Sequence, residues 1–303
     1  MCTVVVSLEP GEWVPLRLLG IRDELTSRPW RPPARHWPGS PLIGGIDEQA
    51  GGTWLAVHPG IPRVACLLNA RGPLADPARR RSRGELSLRA AAEGPGFLSR
   101  LAGDPGALAA YDPFHLICGT PHAVTMISYL PGERPPVPPD VRAAGPDREN
   151  RDRIRPGRTD ETSSVGEDAD GGPGSAPVVA VRDLGPGTHL ITNAGHAYPA
   201  GPGDPAAEPK AAHFADKFGA ARPPADPALP LAQAWGDWLT LAAGDGLDPA
   251  DPAGIIVRRE LPDGRVHGST SVTLVALGDG AVRYDFQPHP GRADGWYPVP
   301  LRG

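Results

Sequence analysis

The chain has 303 residues, 40% of them hydrophobic, and a formal net charge of −5. That is enough apolar material for one large or two small domains, and the acidic balance argues against a nucleic-acid binder that relies on a basic surface. No apolar run approaches the roughly 20 residues of a membrane helix, so membrane insertion is not expected.

Strand-like stretches come in sequential pairs. "CTVVVSL" at the start is followed by "WVPLRLLGIRD", with Thr3–Leu8 and Trp13–Gly20 spaced to form a hairpin. "GTWLAVH" is followed by "RVACLLN", and "FHLICGT" by "AVTMISYL". Between them, "SRGELSLRAAAEGPGFLSRLAGDPGALAAY" reads as two helices broken at "EGPG". Further on, Leu231, Ala234, Trp235, Trp238 and Leu239 lie at helical spacing, with Gly244 and Gly246 to stop the helix. "TSVTLVAL" and "AVRYDFQ" then flank "GDG", a hairpin signal. Sequential strand pairs with interspersed helices predict an α+β fold with helices layered on antiparallel sheets.

The segment from Pro131 to Pro177 mixes charge with Pro and Gly and has almost no large apolar residues. It is expected to be a disordered insertion, 131–177, between two strands of a single domain spanning 1–303. The three cysteines, Cys2, Cys66 and Cys118, are far apart and show no CxxC spacing, so neither a disulfide framework nor structural zinc is expected. No metal or other cofactor is implied. A reducing cytoplasm fits this cysteine usage, and the early Glu9 argues against a signal peptide. Arg far outnumbers Lys, and Ala, Gly and Pro are abundant, as in proteins of GC-rich bacterial genomes. Cys66 and Cys118 read as packed strand residues, Trp54, Trp235 and Trp238 as core, and His36 and His58 as the histidines nearest to a site.

The motif signal begins at "MC" and continues with "GIRDE" (Gly20–Glu24), then "GGID" and "GGTWL". "LLNARG" and "SRG" (Ser82–Gly84) follow, and later "YDPFHLICG", "LITNAG" and "HGSTSVTLVAL". In this order they resemble the NRDE family, the transport-and-Golgi-organisation type proteins, over most of the chain outside the insertion. One departure is the first residue of the eponymous motif, which is Ile21 here instead of Asn.

That family is similar to the N-terminal nucleophile hydrolases, which implies an αββα sandwich. The resemblance implies Cys2 as nucleophile, Arg22 and Asp23 as its neighbours, and Asn69 and Asn193 as polar partners. Removal of Met1 would leave a thiol and an α-amine on one residue. An α-amine with a pKa of roughly 7.7–8.0 is neutral enough near pH 7–8 to accept the thiol proton. Arg22 would lower the thiol pKa and Asp23 would orient the amine. An Asn amide aimed at a developing oxyanion contributes about 2.7–4 kcal/mol in a measured case. The reading is an N-terminal-cysteine hydrolase acting on a non-peptide C–N amide of a small molecule.

Each residue also has a plain structural reading. Cys2 can be a packed strand residue, Arg22–Asp23–Glu24 a surface turn, and Asn69 and Asn193 turn caps. A second functional reading is a non-catalytic binding or trafficking protein for haem or lipid-like metabolites, which the family resemblance also implies and the loss of the motif Asn favours. A third makes the 131–177 segment a partner-binding element. Substrate identity and oligomeric state stay open.

Overall fold

The computed structural model describes residues 2–132, 178–198, 208–292 and 294–302. The segment expected to be an insertion lies, but for Pro131, Gly132 and its two flanking strands, outside the described residues.

The chain opens with strand β1 (Thr3–Leu8), which turns back into β2 (Leu16–Leu25). The two form the expected hairpin, Thr3 opposite Ile21 and Leu8 opposite Leu16. The second strand is longer than the spacing indicated. It runs straight through Arg22, Asp23 and Glu24, which are therefore strand residues and not a surface turn. Five more strands extend this sheet: β10 (Gly187–Thr192), β11 (Gly195–Tyr198), β13 (Val266–Gly278), β14 (Ala281–Gln287) and β15 (Tyr297–Pro298). The order is β11-β10-β1-β2-β13-β14-β15, and the short β12 (Arg258–Glu260) also pairs with β13.

A second sheet follows chain order as a meander: β3 (Trp30–Ala34), β4 (Ile43–Asp47), β5 (Leu55–His58), β6 (Arg63–Asn69), β7 (Phe114–Gly119), β8 (Val124–Leu130) and β9 (Val178–Leu184). Neighbouring strands in both sheets are antiparallel, and Leu130 of β8 lies opposite Val178 of β9.

Period-two alternation builds the layers. Val4, Val6 and Leu8 of β1 point between the sheets, where they meet Ile43, Leu55, Val64 and Met126. Val5 points the other way, with Leu19 and Ile21, against helices. Because β1 is covered on both faces, Val4, Val5 and Val6 follow one another without apolar–polar alternation. On the outer face of the first sheet lie α4 (Pro209–Ala220), α5 (Leu231–Trp235) and α6 (Asp237–Ala242). On the outer face of the second lie α1 (Gly84–Glu93), α2 (Pro95–Ala102) and α3 (Pro105–Leu108). The fold is α+β, an αββα sandwich of two antiparallel sheets flanked by helices.

Two helical expectations change in detail. The two helices expected after Ser82 are followed by a third short one, α3, whose N-cap Asp104 accepts from the Ala107 N–H at 2.9 Å. The single helix expected around Trp235 is split at Gly236, which adopts φ +48°. Both tryptophans stay fully buried, and the Trp235 indole donates to Asp285 Oδ2 at 2.7 Å. Among the described residues no helix is long and apolar enough to cross a membrane.

One imidazole between the sheets is almost fully buried. His115 of β7 shares a strand face with Ile117 and is 1% exposed, its Nδ1 2.8 Å from Ser128 Oγ. Burial lowers its pKa to about 4. The unfolded chain then binds the extra proton first as pH falls below about 6.5, so stability is full above that value and is lost towards pH 4. Urea unfolding at pH 7 and pH 5 should show a loss of about 2 kcal/mol from this group. The loss should shrink in His115→Gln relative to the parent chain.

Candidate active site

Three strand ends and the start of one helix converge at one end of the sandwich. Cys2 immediately precedes β1, so the Thr3–Ile21 register sets it beside Arg22 and Asp23. Its Sγ–H donates to the Asp23 carbonyl at 3.8 Å, and its side chain is half-buried against the core between the sheets. A cleft of about 590 Å³ opens there. Cys2, Arg22 and Asp23 line it together with Asp47 from the end of β4 and Asn69 from the end of β6. Arg80, Arg81 and Arg83 form another wall, on the segment leading into α1.

Close backbone approach makes this possible. A Cβ on Gly52 would stand 2.6 Å from the Gly84 carbonyl carbon, so only glycine lets these two segments touch. The Thr53 N–H donates to the Gly84 carbonyl at 3.2 Å, which fixes the start of α1 against the turn that carries Trp54 into β5.

Arg22 is held on every side. β13 has a bulge between Ser269 and Ser271, opposite Arg22 and Asp23. Thr270, the residue in the bulge, accepts from Arg22 Nη1 at 2.9 Å and donates to the Arg22 carbonyl at 3.1 Å. Arg22 Nη2 donates to Asp47 Oδ2 at 3.2 Å, and the guanidinium lies 4.7 Å from the Trp54 ring centroid. Arg28 closes on Asp47 too, Nε to Oδ2 at 2.6 Å and Nη2 to Oδ1 at 3.2 Å. Burial opposes the Asp47 charge, but Arg28, the Ala50 N–H and Arg22 together hold its pKa below the usual value.

Asp23 has the same strand parity as Ile21 and faces the helix layer. Its Oδ1 accepts from Ser269 Oγ at 2.7 Å. Lys210 of α4 lies on that side, 2% exposed, and donates to Thr3 Oγ1 at 2.9 Å. Burial pushes the Asp23 pKa up and the Lys210 pKa down, while each charge supports the other. The Cys2 thiol is also pushed up, first by burial and then by the Asp23 carboxylate; Arg22 pulls it back only in part. The sequence-based expectation that Arg22 yields a low thiol pKa is thus corrected: the guanidinium is committed to Asp47 and Thr270, and desolvation prevails.

Of the two asparagines, Asn69 lines the cleft, and its side chain makes no hydrogen bond among the described residues. Asn193, just beyond β10, stands behind it and donates its amide to the Asn69 carbonyl. Ile21 is 2% exposed in the apolar layer under the helices, away from the cleft. His36 and His58 are elsewhere: His36 bonds the Pro32 carbonyl and His58 accepts from the Ile61 N–H. Trp54 is half-buried in the cleft wall and not core. Cys66 and Cys118 are buried packing residues, and burial pushes Cys118 up to about 12.

Residue-by-residue reading missed Lys210, Asp112 and the arginines before α1. The arginines were visible as the run "RRRSRG" and as part of the S-R-G match, but nothing in the spacing tied them to Cys2. Among the described residues no group of three or more His, Cys, Asp or Glu is arranged to hold a metal ion.

Asp47 ties β2 of one sheet to β4 of the other, so its loss leaves the buried Arg22 charge without its acceptor. Asp47→Ala should cost about 3 kcal/mol in urea unfolding. Arg22→Met in the same background should recover part of it, because the stranded charge is then gone.

A comparison with curated proteins finds no match. A family model described as Transport and Golgi organisation 2 matches residues 1–156, which hold β1 to β8 and, with them, every residue that lines the cleft; Asn193, Lys210 and the β13 bulge lie outside the match. With just over half of the chain matched, the protein belongs to the Transport and Golgi organisation 2 family.

Proposed function

We propose that the chain is an N-terminal-cysteine hydrolase that cleaves a non-peptide amide of a small molecule. The observation that carries this reading is the setting of Cys2. Of the three thiols it alone opens into a polar cleft, beside Asp23 and across from the uncommitted Asn69 amide.

The raised thiol pKa shapes the mechanism. Near neutral pH Cys2 is protonated, so attack needs a base at the moment of bond formation. Removal of Met1 supplies one, the Cys2 α-amine. Sγ attacks the amide carbonyl as its proton passes to this amine. Asn69 donates to the developing oxyanion, and Asn193 steadies it through the Asn69 carbonyl. The C–N bond breaks as the α-ammonium protonates the departing nitrogen, leaving a thioester. Water then attacks the thioester while giving a proton to the amine, and Sγ leaves as the restored thiol. Asp23, backed by Lys210, orients the amine, and Arg22 is a positioning residue that holds the strand end.

The rival reading, a binding protein for haem or lipid-like ligands, fits the cleft less well. The apolar body of such a ligand would desolvate guanidinium and carboxylate groups of the walls without return, and a binding role gives the Cys2 thiol no task.

Intact mass and peptide mapping after a brief, limiting dose of alkylator at pH 7 should find Met1 absent and Cys2 modified ahead of Cys66 and Cys118. Retained Met1 removes the base and with it this mechanism. In a screen of amide substrates, Cys2→Ala should abolish turnover by roughly a thousandfold or more. Asn69→Ala should lower kcat on the order of a hundredfold. Unchanged turnover in Cys2→Ala would sink the hydrolase reading.

A further inference from the structure

The charges of the cleft do not balance, and the surplus has an address. Arg22 and Arg28 are met by Asp47, and Arg28 also by Glu24 at 3.8 Å. Arg81 is met by Glu85 at 2.8 Å. Asp23 and Lys210 offset each other on the helix side of the sheet. That leaves Arg80 and Arg83, which share one carboxylate, Asp112.

Asp112 has nothing further to give. It is 3% exposed; Oδ1 accepts from the Ala75 N–H at 3.0 Å, and Oδ2 takes two nitrogens of Arg80, Nε at 2.9 Å. Arg83 Nη2 stands 3.8 Å from the same oxygen, beyond hydrogen-bond reach. Arg83 Nη1 donates to the Pro113 carbonyl at 2.7 Å, an uncharged partner. Its Nε, and Nη1 of Arg80, make no hydrogen bond among the described residues. Burial lowers the Arg83 pKa, Asp112 raises it, and Arg80 lowers it again; Cys2 is close enough to act on the same group. A half-buried guanidinium beside a second one, with donors open to a cleft, is a site for a planar anion.

We propose that Arg80 and Arg83 bind a carboxylate or phosphate on the substrate, so that the amide presented to Cys2 belongs to an anionic molecule. This takes the cleft as the reaction site, and it adds a substrate class to the proposed hydrolysis. An anion placed here completes the charge balance of the wall and fixes one end of the substrate while the amide lies over Sγ. Binding energy from a remote group is then available to orient the reacting carbonyl.

The test separates this from the hydrolase reading by using a full-length chain that cannot turn over. Calorimetric titration of Cys2→Ala compares N-benzoylglycine with N-benzoylglycinamide, which differ only in the charge of the terminal group, and with phenyl phosphate. N-benzoylglycine should bind at least tenfold more tightly than its neutral partner, and the preference should fall as salt rises. Arg80→Gln, at a half-exposed position, should reduce the preference threefold or more. Arg83→Gln should remove it, and Arg83→Lys should restore only part because the fork is lost. If phenyl phosphate binds tenfold more tightly than the carboxylate, the anion is a phosphate. Equal affinity for the acid and the amide, or saturation by none of the three, overturns the proposal. A charge preference without any wild-type turnover would leave the anion site standing and overturn only the hydrolysis.

Discussion

Thr3 pairs with Ile21, and a slip of one residue in that ladder would turn Val4, Val6 and Leu8 out of the space between the sheets. The same slip would move Cys2 away from the Asp23 carbonyl and into the helix-side layer. Core and site are therefore set by one register. The side chains of β1 that face between the sheets are fully packed, so the register is strongly determined, and it brings the thiol to the Asp23 carbonyl.

Around that register the polar groups divide between the two faces of β2. Arg22 points between the sheets and meets Asp47 of the opposite sheet and Trp54 just ahead of β5; Asp23 points to the helices and meets Ser269. The β13 bulge lets both side chains be satisfied at adjacent positions, because Thr270 bonds the Arg22 side chain and backbone at once. Burial works against every charge here, and each persists through a partner. At the Cys2 thiol burial and the Asp23 carboxylate outweigh Arg22, so its pKa rises. Chemistry at this thiol then depends on a base that takes the proton during attack, which is a role for a neighbour and not for a standing thiolate.

The layers were legible in the sequence because strand pairs and buried apolar runs are local signals. Cys2, Arg22, Asp23 and Asn69 were legible through ordered motifs, and the structure brings these four to one cleft. Helix α4 was not anticipated, although Ala211, Phe214, Ala215 and Phe218 carry helical spacing; the Pro- and Gly-rich stretch before it masks the start. Lys210 was out of reach for a different reason. Its importance comes from pairing across more than two hundred residues of chain, and no local pattern reports that. The break at Gly236 was hidden because Trp235 and Trp238 keep helical spacing across it, and a positive φ there bends the path while both indoles stay buried.

Ile21 shows how a motif position can matter without touching a ligand. Its side chain lies under the helices with Ala211 and Phe214 of α4. Lys210 is the residue before Ala211, and its Nζ reaches Thr3, the strand partner of Ile21. An apolar residue at 21 extends the packed layer on which α4 rests, and that layer holds a buried lysine within reach of Asp23. A polar Asn at the same place would have to find its own hydrogen bonds in this layer. The departure from the motif thus leaves the cleft walls unchanged and acts on the seating of α4, one step removed from Cys2.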